Sequence, residues 1–425
     1  MRSFALAPLA IGGAVLAVAA TLALSWPRAQ HVPSSSPAAW AATPDNIARG
    51  AYLARAGDCV ACHTARGGAA YAGGRALDTP FGRFYGPNLT PDTSTGIGAW
   101  SADDFWNALH NGIARGGRLL YPSFPYPNYT RVTRADSDAL YAYLRSLAPV
   151  RQPNRPHELR FPYDQQALLA GWRLLYFRPG SFEAQPARGA AWNRGAYLVE
   201  GLGHCGACHS TRNRFGASAD GLDGGLMPAL GWYAPSLAAG GEAGLQGWDK
   251  EHIVALLGTG IAPRGAATGP MAEVVARSLQ HLTRGDLEAI ADYLQALPAG
   301  AAPVVRPGPP PGDAVLATGR RLYAAHCADC HGETGQGRQN AYPPLAGNRA
   351  VTLTPAVNAI RMTLDGGFPP GTHGNPRPYG MPPFGHELDD AEVAAVLTWI
   401  RASWGNSAPQ VTAPEVNRHR AAPGD

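Results

Sequence analysis

Cys59-Val60-Ala61-Cys62-His63 decides the reading of this sequence, because its C-x-x-C-H spacing returns as Cys205-Gly206-Ala207-Cys208-His209 and as Cys327-Ala328-Asp329-Cys330-His331. The three stretches use all six cysteines of the 425 residues, so no thiol remains for a disulfide or a nucleophile. C-x-x-C-H is the attachment pattern of c-type haem: two thiols add across the haem vinyl groups, and the adjacent histidine binds iron from the proximal side. A zinc ribbon would need a closed set of four ligands per site. A thioredoxin-like pair would sit in a βαβ pattern, which the sequence lacks. The pattern therefore predicts three covalently attached haem c groups, on Cys59 and Cys62, Cys205 and Cys208, and Cys327 and Cys330, with His63, His209 and His331 on the metal.

Working outward, the motif sits inside a larger repeat. Each copy opens with a short helix carrying a glycine and an aromatic: Arg49-Gly50-Ala51-Tyr52-Leu53, Arg194-Gly195-Ala196-Tyr197-Leu198 and Gly319-Arg320-Arg321-Leu322-Tyr323. The motif follows within eight to ten residues of that glycine. Each copy closes with an amphipathic helix holding an aromatic and then an aliphatic residue, Tyr143-Leu144, Tyr293-Leu294 or Trp399-Ile400. Leu287, Ile290, Ala291 and Leu294 fall at helical spacing. A glycine in the first helix lets the last one approach closely, so the two ends of each copy are expected to cross.

The distal side of the metal separates the copies. Met381, in Tyr379-Gly380-Met381-Pro382-Pro383-Phe384, lies 50 residues after His331, and Met271, in Gly269-Pro270-Met271-Ala272, lies 62 residues after His209. Both are expected as sixth ligands; methionine there raises the potential and closes the iron. Met362 and Met227 are read as packing or loop residues. In the first copy the matching place, 61 residues after His63, reads Tyr121-Pro122-Ser123-Phe124-Pro125-Tyr126. Phe124 cannot coordinate, which leaves a five-coordinate iron or another ligand such as His110. Pro87, Pro235 and Pro344 are the residues expected to supply the carbonyls that fix the other histidine nitrogens.

Composition narrows the function classes. The formal charge is +4, Lys250 is the only lysine, and the arginines form no long run, so nucleic-acid binding has no electrostatic footprint. No hydrolytic triad, phosphate-binding glycine loop or zinc-protease motif occurs. Near the N-terminus, an uncharged apolar run from Phe4 to Trp26 follows Arg2. A membrane span needs about 20 residues and a secretory core about 7–15, so the run suits an uncleaved anchor better than a cleaved signal, and the rest of the chain is exported either way.

Pro87-Asn88-Leu89-Thr90-Pro91-Asp92, Thr95-Gly96-Ile97-Gly98, Leu120-Tyr121-Pro122, Gly201-Leu202-Gly203-His204-Cys205 and Gly269-Pro270-Met271-Ala272-Glu273-Val274-Val275 closely resemble the three-haem cytochrome c subunit of membrane-bound bacterial dehydrogenases. The resemblance runs from about residue 45 to 403. It implies an all-α chain of three tandem class I cytochrome c domains behind an N-terminal anchor or signal. The segments are 1–44 signal or anchor and tether, 45–150 first domain, 151–187 connector, 188–299 second domain, 300–313 Pro-rich linker, 314–404 third domain and 405–425 mobile tail. It implies an electron carrier, with no catalytic residues of its own, on the periplasmic side of the inner membrane. Such a subunit takes electrons from a quinoprotein, flavoprotein or molybdenum hydroxylase partner and passes them to ubiquinone or a terminal oxidase. The family pattern has Met where this chain has Phe124. The rival readings are a haem enzyme with an open first iron, acting on peroxide or a small donor, and a free-standing periplasmic shuttle.

Overall fold

The structure is a computed structural model that describes residues 36, 40–238, 240, 242–298 and 309–420. The apolar run 4–26 lies outside the described residues. Among those described, no helix is long and apolar enough to cross a membrane. The architecture is mostly helical, with three small antiparallel sheets of three, two and two strands. Two compact units emerge: Met1–Leu53 with Cys62–Glu183, and Ala54–Ala61 with Ala184–Asp425.

In the first unit the opening helix Pro44–Ala56 meets the closing helix Arg134–Ser146 at Gly50. A Cβ at Gly50 would collide with the Ala139 carbonyl oxygen and come within 2.6 Å of Tyr143 Cβ, so only glycine permits this crossing. Thr133 caps the closing helix by accepting from Asp136 N. The Asp136 carboxylate in turn accepts from Arg49 Nε at 2.9 Å, pinning the opening helix to the closing one.

The segment expected as a connector, 151–187, packs within this unit as far as Glu183. Glu158–Leu159 adds a third strand to the hairpin Ala76–Thr79/Gly82–Tyr85, in the register Gly82↔Leu159. Asn154 Oδ1 accepts from Asn88 N at 2.7 Å. The helix Gln166–Tyr176 packs Leu169 and Ala170 against Ile113 and Leu119.

The second unit repeats the crossing twice. Gly195, on helix Ala190–Tyr197, faces the Ala289 carbonyl and Tyr293 Cβ of helix Arg284–Gln295. Gly319, on helix Asp313–His326, faces the Ala395 carbonyl and Trp399 Cβ of helix Asp390–Ala402. Arg194 grips Asp286 with two hydrogen bonds of 2.8 and 2.7 Å, as Arg49 grips Asp136. Thr318 stands at that step in the last copy, and there Glu392 closes a capping box with Asp389 instead. Asn358 joins the two repeats, accepting from Tyr233 N at 2.9 Å and donating to Tyr233 O at 2.7 Å.

Residues after the last closing helix, expected to form a mobile tail, fold back on it. Helix Ala413–Arg420 buries Val416, and Arg420 Nε donates to Asp390 Oδ1 at 2.6 Å. Arg401, only 1% exposed, donates to the carbonyls of Val351, Leu353 and Pro409. The sequence signal was weak because the apolar contacts of this segment, Val411 and Val416, are only two.

Candidate haem sites

Each C-x-x-C-H motif forms a single helical turn, Cys59–Cys62, Gly206–His209 or Ala328–His331. The turn places its histidine against a proline carbonyl on the following loop. His63 Nδ1 lies 2.8 Å from Pro87 O, His209 Nδ1 2.7 Å from Pro235 O, and His331 Nδ1 2.9 Å from Pro343 O. A carbonyl only accepts, so Nδ1 carries the proton and donates, and Nε2 keeps its lone pair for a metal. The third partner is Pro343 rather than the expected Pro344. The tandem prolines put two carbonyls in adjacent places, and the Pro344 oxygen accepts from Asn348 Nδ2 at 2.8 Å instead.

Burial lowers the pKa of all three histidines, against the weaker opposing pull of the carbonyl hydrogen bond. The neutral imidazole is the form that binds iron. All six thiols are unbridged. Burial pushes the Cys205 thiol up to about 12 and Cys327 to about 11. Thiols so held stay protonated, which is unlike the depressed pKa of a reactive redox pair. This donor set fits covalent haem c: a thiol pair for two thioether bonds and one oriented imidazole with a free nitrogen.

The distal candidates occupy different settings. Met381 is fixed by two backbone hydrogen bonds with Gly367, 2.7 and 2.9 Å, and packs against the last core. Met271 is the second residue of helix Pro270–Arg277. The preceding Gly269 has φ +54, and a Cβ there would meet the Trp232 ring at 2.8 Å. Met227 lies in the hairpin strand Gly225–Met227 opposite Trp232, and Met362 on helix Val357–Asp365. Phe124, in the first unit, turns its ring against Tyr129 with centroids 5.3 Å apart. His110 lies in a π-helical turn, Asn107–Asn111, stacked on Trp106 at 4.4 Å. Its Nδ1 is buried without a hydrogen-bond partner, and burial lowers its pKa.

Two residues beside this loop were not singled out from the sequence. Tyr126 is fully buried, and burial raises its pKa to about 12 against the opposing pull of the Arg173 guanidinium. Arg173, 7% exposed, lies over the rings of Tyr126 and Phe177 at 5.0 and 4.8 Å, with Nε and Nη1 unpartnered. The one signal available was a lone arginine inside the apolar stretch Ala167-Leu168-Leu169-Ala170-Gly171-Trp172-Arg173-Leu174-Leu175. In the second unit a cavity of about 330 Å³ lies against Pro343, between Ile261–Pro263 and Arg338–Tyr342.

The thiol pairs and carbonyl-anchored imidazoles make this chain a c-type cytochrome, and the cytochrome c family pattern matches residues 47–148 and 316–404. A nicotinate dehydrogenase subunit of Pseudomonas putida is 41% identical over 97% of this chain. The chain spans about a third (35%) of that protein's length. The gluconate 2-dehydrogenase cytochrome c subunit of Pantoea cypripedii is 41% identical, with 87% of this chain matching 88% of it. The cytochrome c subunit of the quinone-dependent alcohol dehydrogenase of Komagataeibacter europaeus is 37% identical, with 90% of this chain matching 86% of it. This chain therefore belongs to the family of dehydrogenase cytochrome c subunits, electron-transfer proteins with covalently bound haem c.

Proposed function

We propose that the chain carries three haem c groups and relays electrons from a dehydrogenase catalytic subunit to ubiquinone or a terminal oxidase. The observation that carries this reading is the threefold recurrence of one arrangement: the glycine crossing, the C-x-x-C-H turn and the histidine–proline carbonyl bond. Each recurrence marks one haem domain. The thiol pairs tether the group, and the proline carbonyls orient His63, His209 and His331. Met271 and Met381 supply sulfur to the second and third irons. Bound haem supplies one-electron iron chemistry; the chain supplies ligation, burial and orientation. The place of work is the periplasmic face of a bacterial inner membrane, held by residues 4–26. The catalytic partner is a dehydrogenase subunit, in keeping with the names of the relatives; the sequence resemblance implies a quinoprotein, a flavoprotein or a molybdenum hydroxylase.

The intact mass of the exported protein tests the haem count. Three haem increments are expected, and two or fewer would overturn it. Mixing the oxidised chain with a reduced catalytic subunit should bleach its oxidised absorption bands. Turnover of peroxide or a small donor by the isolated chain would favour the enzyme reading, for which Phe124 is the supporting feature. Recovery of the intact chain in the soluble fraction would favour a free shuttle.

A further inference from the structure

Twelve large apolar side chains stand exposed among the described residues, and six of them fall between Phe161 and Tyr176. They belong to the helix Gln166–Tyr176 and the turn before it. The helix has two faces. Leu169, Ala170 and Arg173 point inward, followed by buried Phe177. At 100° per residue the opposite arc carries Leu168, Gly171, Trp172 and Leu175, flanked by Leu174 and Tyr176. Leu175 is 68% exposed and Leu168 53%. In the turn, Phe161 projects with 82% of its surface in solvent. A monomer surface seldom carries so continuous an apolar patch without a partner.

We infer that this face lies in the headgroup–acyl boundary of an anionic phospholipid bilayer, as a second hold on the membrane besides the N-terminal run. The inference rests on the reading that the chain works at a membrane. Three features select lipid over a protein partner. First, the middle of the arc offers no hydrogen-bonding side chain except the Trp172 indole, whereas a protein interface of standard size carries about ten hydrogen bonds. A medium that offers no partners suits such a face. Second, the ends of the segment are cationic: Arg160 and Arg178 are exposed, against one exposed acid between them, Asp164. That charge complements anionic headgroups. Third, Tyr163, Trp172 and Tyr176 combine an apolar ring with a polar tip, the composition of membrane-interface belts.

The test uses the full holo-chain with a nitroxide on Leu175→Cys or, as a control, on Leu226→Cys, an exposed apolar position of the second unit. The six native thiols are engaged with haem, so the added one is labelled selectively. Vesicles of phosphatidylethanolamine and phosphatidylglycerol are added, and relaxation by oxygen and by a water-soluble nickel chelate is compared. The expected result is a several-fold rise in the oxygen-to-nickel ratio at 175 and no change at 226. A water-like ratio at 175 in vesicle-bound protein overturns the inference. So does protection that appears only when the catalytic subunit is added, which would make the face a protein contact. Co-sedimentation of a Leu168→Gln/Trp172→Gln/Leu175→Gln variant separates the two holds. If that variant leaves the vesicles although the label at 175 reads lipid, the N-terminal anchor fails and the inference stands. If it stays bound, the anchor holds and the label alone decides.

Discussion

Phe124 in the first unit and Met381 in the second stand at the same step of two matching sequences, 61 and 50 residues after their histidines. Around Met381 the backbone is locked to Gly367 on both sides, and the neighbouring core is closed by the helix Ala413–Arg420. Around Phe124 an aromatic wall takes over: Phe124 against Tyr129, Tyr126 beneath Arg173, and His110 on Trp106. The proximal halves, by contrast, are built alike, each with its histidine on a proline carbonyl. On the function proposed above, haem attachment depends on one recurring device, while the distal half is free to differ and sets each centre's character.

The largest effect expected from breaking this comparison comes at the shared crossing. Gly319→Val drives side-chain atoms into the Ala395 carbonyl and should cost about 3 kcal/mol or more, read as an early thermal transition. Gly50→Val should do the same in the first unit, because the crossing there is as tight. Next comes an exchange of distal residues. Phe124→Met should add a third methionine-ligated, low-spin iron and raise the first potential, whereas Met381→Phe should lower the third and make it high-spin. Magnetic circular dichroism with a redox titration reads both; a wild-type protein with three methionine-ligated irons would refute the asymmetry.

Smaller effects test the clamps. Arg194→Ala removes a two-pronged, partly exposed bond to Asp286 and should cost about 1 kcal/mol in a denaturant titration. The smallest effect is a pH response at the closing helix of the last copy. Hydrogen bonds from Arg420 and then Asn417 hold the Asp390 carboxyl below its ordinary range. A depressed folded pKa gives stability that is present above the unfolded value, about 4, and is lost as pH falls through the folded one. Acidification should therefore loosen helix Ala413–Arg420 first, seen as faster amide exchange there, and Arg420→Ala should abolish the step.

Much of this was legible in the sequence because it is local. The C-x-x-C-H turns and the glycines at 50, 195 and 319 each declare themselves within a few residues. What escaped depends on distant partners. Glu158–Leu159 is a strand only because Gly82–Arg83 offers it an edge. Helix Ala413–Arg420 is ordered by Asp390 and Leu388, about 30 residues earlier. Pro343 and Pro344 are indistinguishable in sequence, and the choice falls to Asn348. The burial of Arg173 likewise depends on the distant ring of Tyr126, together with Phe177.

The bonds that pin the opening helix to the closing helix in the first two copies also set an order of assembly. Arg49 and Asp136 are 87 residues apart, and Arg194 and Asp286 are 92 apart. Each attachment turn lies within ten residues of the glycine that starts its copy. On a chain emerging N-terminus first, the thiols of a copy are accessible well before its last helix exists, and the long-range contact that shuts the copy must form late. The crossing glycine is thus the last joint of its copy to be made, and it leaves the thiols open until then.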